Sequence, residues 1–247
     1  MRKSIFMRLC LCLSVALFEL PLMAQGVVVY KTDGTQVKFA YEEIDSIVTY
    51  NVDADVDDPV ISPTDSRAID LGLSVKWASC NVGAESPEEY GDYFAWGETK
   101  TKSDYTSDNS DTYGLATSDL ESQGIIGSDG NLTTKYDAAA VNWGGNWRMP
   151  TKEELDELIN NCTWSWTTQN DINGYKVTGP NGNSIFLPAA GYLRGTSLIN
   201  GTSIGFYWSA KPYSDSRYAR YLYFDSGYRE TSGGTRSDGF TVRPVTK

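Results

Sequence analysis

The sequence predicts an α+β domain of short strands, one or two helices and long loops. Three observations lead there. Short apolar runs alternate with Gly-, Asn- and Pro-rich turns, only one segment carries a strong helical period with a cap, and long polar connections separate the elements.

The chain opens with Met1, Arg2 and Lys3, then an apolar run through Phe18 and a small residue at Ala24, the three-part layout of a secretory signal peptide with cleavage expected after Ala24. The run from Ile5 to Phe18 is interrupted by Arg8 and is shorter than the ~20 apolar residues of a spanning helix, so no integral membrane segment is expected after cleavage. Cys10 and Cys12 lie too early for a lipid-attachment signal. Residues 25–50 read as a β-hairpin segment, with strands Val27 to Tyr30 and Gln36 to Phe39 around Asp33-Gly34, a pair that supplies the positive φ of a tight turn. A segment of that size cannot bury a core alone and is expected to dock on something.

Residues 51–66 are rich in Asp, Pro and Ser and read as a linker. Asp53, Asp55 and Asp57 alternate as in a calcium loop, but Asp58 and Thr64 occupy the positions where such a loop needs its turn glycine and its bidentate Glu, so no metal is expected. Residues 67–247 form the main domain, and all tryptophans lie within it, between Trp77 and Trp208. Its clearest helix starts after Thr151, which caps it while Glu154 closes a capping box. Leu155, Leu158, Ile159 and Cys162 then share one buried face. A shorter helix is expected from Tyr136 through Val141, ending at Gly144-Gly145. Strands are expected at Tyr175 to Thr178, Ser184 to Leu187, Phe206 to Ser209, Ala219 to Phe224 and Thr241 to Val245, with Tyr221 and Tyr223 facing away from Leu222 and Phe224.

Composition removes whole classes of chemistry. The chain has no histidine, which excludes Ser-His-Asp, Cys-His and His-ligated zinc sites. A net charge of −11 leaves no field for nucleic acid. Asp137, Glu153 and Asp156 show no pairing across a cleft of the kind glycoside hydrolysis uses. No cofactor and no enzymatic activity are expected. In an oxidising compartment the two cysteines left after cleavage, Cys80 and Cys162, are expected to form a disulfide, with a buried reduced pair as the alternative.

Several runs together carry a family resemblance. Leu71 to Ala84 (LGLSVKWASCNVGA), Glu89 to Thr99 (EYGDYFAWGET), Tyr136-Asp-Ala-Ala139 and Asn142 to Thr151 (NWGGNWRMPT) are four of them. Leu187-Pro-Ala-Ala-Gly-Tyr192, Gly205-Phe-Tyr-Trp-Ser209 and Val242-Arg-Pro-Val245 follow. In this order they resemble the Fibrobacter succinogenes major paralogous domain of secreted Bacteroidetes proteins, over about residues 67–245. The resemblance implies a C-type lectin-like fold related to the formylglycine-generating enzyme, whose Arg-Leu-Pro-Thr-Glu run is similar to the stretch from Arg148 to Glu153. The cysteine pair of that enzyme has no counterpart between Arg229 and Val245, and the Glu-Pro-Asn, Gln-Pro-Asp and Trp-Asn-Asp runs of calcium-dependent lectins are missing too.

The expectation is therefore an exported binding or adhesion module, in the periplasm, at the cell surface or outside the cell, that recognises a glycan or a surface protein. Its candidate ligand-binding residues are Trp164, Trp166, Tyr192, Arg194, Tyr213 and Tyr218, since rings and guanidinium groups among small residues make recognition surfaces. Trp164 and Trp166 share one strand face, and that face is either a stacking platform or the buried side. Arg148 and Arg243 each lie close before a proline and are expected to brace loops. The alternative function is a structural component of a cell-surface complex, docked through the N-terminal hairpin.

Overall fold

The computed structural model describes residues 26–30, 36–40 and 67–247. The expected signal peptide, hairpin turn and linker lie outside the described residues. The chain divides into two units, residues 1–60 and 61–247. In the first, strands β1 (Gly26–Tyr30) and β2 (Gln36–Ala40) pair antiparallel, Gly26 opposite Ala40 and Tyr30 opposite Gln36, the register a five-residue connection around Asp33-Gly34 requires.

The second unit is strand-rich with few helices, an α+β arrangement. Its centre is a three-stranded antiparallel sheet of β10 (Gly205–Pro212), β11 (Tyr218–Phe224) and β12 (Arg229–Thr235). Alternation along β11 works as expected. Tyr221 and Tyr223 face one hydrophobic cluster, with Phe206, Trp208 and Phe240, whereas Leu222 and Phe224 face another, with Tyr207, Tyr175 and Leu155. Gly205 lies opposite Phe224, and a Cβ there would come within 2.1 Å of the Phe224 ring, so only glycine lets the strands close at that pair.

On the first side of the sheet Trp96 and Trp208 are fully buried, and each braces the segment that carries the other. The Trp96 indole donates to Ser209 O at 2.9 Å, and the Trp208 indole to Phe94 O at 2.8 Å. On the second side lie the hairpin sheet β5 (Thr163–Gln169), β6 (Ile172–Thr178) and β7 (Ser184–Pro188), and the helix α3 (Lys152–Asn161). Helix α3 has the expected cap: Thr151 Oγ1 accepts from Glu154 N, and Glu154 returns by accepting from Thr151 N at 2.8 Å. Its buried residues are Leu155 and Leu158, with Ile159 and Cys162 packed alongside. A small sheet of β3 (Ala68–Ile69), β4 (Lys76–Ala78) and β13 (Val245–Thr246) ties the two ends of the unit together, and the hairpin β8 (Tyr192–Arg194) and β9 (Ser197–Ile199) stands apart from it.

Several expectations are corrected. Helix α2 runs over Ala138–Trp143 and not from Tyr136, because Asp137 takes the cap position and accepts from Ala140 N and Met149 N; Thr134–Tyr136 is a separate 3-10 turn. Helix α1 (Thr117–Ser122) and strands β8, β9 and β12 fall where loops or no element were expected. The disulfide is not formed: Cys80 and Cys162 are free. Each thiol is committed locally. Cys80 Sγ donates to Ala84 O at 3.3 Å within its own turn, and Cys162 closes α3 against the second cluster. Burial, with Glu157 nearby, pushes the Cys162 thiol up to about 11.

Candidate functional site

The connection between β10 and β11 is a tight polar loop. Tyr213 N donates to Tyr218 O at 3.1 Å, and Tyr218 N donates to Asp215 O at 3.0 Å. Asp215 accepts from the Arg217 backbone and from its guanidinium, which grips both carboxylate oxygens at 2.7 and 3.0 Å. That grip holds the Asp215 carboxyl down at about 2. The Tyr213 and Tyr218 rings meet edge to face, 6.5 Å between centroids. Arg220 lies over the Tyr213 ring at 4.2 Å. Gly233, directly across from Arg220, makes room for this stack, since a Cβ there would approach the Tyr213 ring to 3.0 Å.

Strand β8 supplies the other side. Arg194 is 58% exposed along its side chain and forms a bidentate pair with the buried Asp238, at 2.7 and 3.1 Å. The Asp238 bond raises the Arg194 pKa, and Tyr192 and Tyr218 are near enough to add to the effect. Arg194 also sits 5.2 Å from the Tyr192 ring. Tyr192 is half-buried, its ring 4.8 Å from Phe206 and 5.7 Å from Phe240.

Beneath this face lies Arg236, fully buried. Its Nε donates to Tyr218 O at 2.9 Å, and its Nη1 to Thr112 O and Leu115 O at 3.0 and 2.9 Å, while the guanidinium sits 4.9 Å from the Trp96 ring. Gly114 N donates to Ser216 O beside it. Burial brings the Arg236 pKa down to about 10, against the pull of Asp215, so it stays charged at neutral pH. The loop at 112–115 is thus fastened to the Tyr213–Tyr218 loop through one buried cation.

Four of the six candidates, Tyr192, Arg194, Tyr213 and Tyr218, therefore form one connected surface. Trp164 and Trp166 do not join it. They lie on the opposite side of the central sheet, half-buried, with rings 5.2 and 5.1 Å from Tyr175 and 6.1 and 6.4 Å from Phe224. Trp164 Nε1 also donates to Leu158 O at 3.1 Å. Arg217, Arg220, Arg236 and Asp238 complete the tyrosine face. Arg217 and Arg220 stand in the run from Tyr213 through Arg220 whose composition signals recognition, but nothing in the run Arg236-Ser-Asp238 does, because its roles exist only after folding.

The remaining polar groups of interest are structural. Arg148 pairs with Glu154 at 2.5 and 2.8 Å and donates to Met149 O, and Arg243 donates to Asn81 Oδ1, Ala78 O and Phe186 O, so both brace loops. Asp156 is bound by Lys152 and accepts from Thr231 Oγ1 at 2.7 Å. What the tyrosine face can do is stack flat C–H surfaces on phenol rings and donate guanidinium and hydroxyl hydrogens at their edges.

Residues 69–246 match the family model described as the Lcl C-terminal domain. No curated protein and no solved structure matches the chain.

Proposed function

The chain belongs to the Lcl C-terminal domain family, and from that premise we propose that it is a secreted, non-enzymatic binding or adhesion module, recognising a glycan or a surface protein through the face built from Tyr192, Arg194, Tyr213 and Tyr218. Within the family we read it as a Fibrobacter succinogenes major paralogous domain with a C-type lectin-like fold, on the ordered runs from Leu71 to Val245. One observation carries the functional reading: two tyrosines that belong to neither hydrophobic cluster, Tyr213 and Tyr218, are held together with three guanidinium groups around them. Both rings are half-buried and braced by the loop and its arginines without entering the core, which leaves part of each ring open to a ligand.

The test is a glycan-array screen of the full chain against the Tyr213→Ala/Tyr218→Ala double variant, with thermal melting of both. Saturable binding that the variant loses, with a melting temperature within a few degrees, supports the reading. Binding that survives the double substitution overturns it. Tyr192 is a poor control, since its contacts with Phe206 and Phe240 make its removal a packing defect.

A second reading has its own support. Among the described residues the β1–β2 pair is a two-stranded sheet, and an unpaired strand edge is what a partner strand can add to. On this reading the protein is an assembly component of a cell-surface complex, and deleting residues 25–50 abolishes co-purification with its partner. Unchanged co-purification rejects it.

A further inference from the structure

The outer face of the β5–β6–β7 sheet carries a feature that the tyrosine face does not use. Lys176 on β6 lies directly across from Phe186 on β7, so both project from the same face, the one turned away from Trp164, Trp166 and Tyr175. There a cleft of about 370 Å³ opens between this sheet, the β3–β4 end and the loop at Pro87. The volume falls in the range of about 300–1,000 Å³ typical of small-molecule sites.

The apolar part of the lining is Phe186, Ile185, Ile69 and Pro87. The polar lining residues are Ser79, Ser184, Gln169 and Lys176. Lys176 is exposed and has no ion-pair partner among the described residues. Behind the floor Arg243, buried and with no carboxylate among its hydrogen-bond partners, donates to Phe186 O at 2.8 Å. Two cations thus face or underlie one cleft of mixed apolar and polar lining in a chain of net charge −11. At the rim Glu88 is fixed by Gln169 Nε2 at 3.0 Å and by Asn170 Nδ2. Its negative charge disfavours ligands with a second anionic group on that side.

We propose that this cleft is a second binding site, separate from the tyrosine face, for a small monocarboxylate with a compact apolar body, such as the free carboxy-terminal residue of a peptide. The apolar body lies on Phe186 and Ile69, and the carboxylate accepts from Lys176 Nζ and from the serine hydroxyls. The walls are set before any ligand arrives. Phe186 is fixed by Arg243, and the loop that carries Pro87 is held by Asn81 Nδ2 donating to Tyr90 O at 2.8 Å.

The experiment is an NMR titration of the full chain with N-acetyl-leucine and, separately, with N-acetyl-leucinamide, repeated on Lys176→Gln and Lys176→Arg. The acid should shift the backbone amides of Ser79, Ser184 and Ile185, and the amide analogue should bind about tenfold more weakly. Lys176→Gln should remove the difference between the two probes, and Lys176→Arg should restore it. Lys176 is exposed, so melting temperatures of both variants should match the parent protein. Equal binding of acid and amide, unshifted cleft resonances at millimolar probe, or an unchanged preference in Lys176→Gln overturns the proposal. The Tyr213→Ala/Tyr218→Ala variant should leave these shifts intact, so failure of either site is read independently of the other.

Discussion

Arg243 and Arg236 bring their charges into the interior with no carboxylate among their hydrogen-bond acceptors, and this makes them the least replaceable polar residues described. Burying a cation without a carboxylate is costly, and the compensation is that each guanidinium satisfies three oxygens that would otherwise lack donors. Arg243→Met should therefore destabilise the domain by about 3 kcal/mol. Urea denaturation measures this, and a loss below about 1 kcal/mol would mean the three acceptors find other donors. The cysteines make a second prediction at this scale. Alkylation without reductant should modify both Cys80 and Cys162 in unfolded protein, as free thiols require. In folded protein Cys162 should react slowly near about pH 8, because a thiol held up at about 11 is almost all protonated there. A mass two hydrogens light and inert to alkylation would restore the bridge the sequence suggests. That suggestion failed for a spatial reason: compartment and cysteine count say nothing about which turn or helix end each thiol faces.

Helix α3 shows what sequence carries at the level of elements. Its cap, box and i, i+3, i+4 stripe are local, so Thr151, Glu154, Leu155 and Leu158 could be assigned before any tertiary contact was known. Strand β12 shows the converse. Its run Arg229-Glu-Thr-Ser-Gly-Gly-Thr235 has no apolar alternation, and it is a strand because β11 offers it seven partners in register. The same split divides the candidate site. Tyr213 and Tyr218 are near in sequence and legible together, whereas Asp238 and Arg236 come into play only through pairing with Arg194 and the loop at 112–115. The cap of α3 yields a pH prediction. Burial works to raise the Glu154 pKa, but the Arg148 guanidinium and the Thr151 N–H outweigh it, and the net shift is below 4.5. A carboxyl with a lowered folded value adds stability above its unfolded value and loses it as pH falls through the folded one. The parent protein should thus lose stability more steeply below pH 4.5 than Glu154→Gln does, while at neutral pH that variant should be less stable by about 1 kcal/mol. Parallel acid-side melting curves would reject the assignment.

At the scale of residues 67–247, the central sheet is the common wall of both hydrophobic clusters, so neither can be lost while the other stays intact. Trp96 and Trp208 report on one side, and Trp164 and Trp166 on the other. Tryptophan fluorescence and far-ultraviolet circular dichroism should accordingly trace a single coincident unfolding transition. Two separated midpoints would show the clusters to be independent. Gly205→Ala, which drives a methyl into Phe224 across that wall, should lower this one transition by about 1–3 kcal/mol without splitting it. The fastening of the loop at 112–115 to the one at 213–218 by Arg236 has a practical corollary. A surface assembled from stretches a hundred residues apart is a discontinuous epitope, absent from any fragment and erased by denaturation. Whatever binds there binds only the native state, and at a hundred times its dissociation constant it adds about 2.7 kcal/mol to the unfolding free energy. Heating the protein in the presence of candidate compounds thereby becomes a way to find its ligand without knowing in advance what kind of molecule it is.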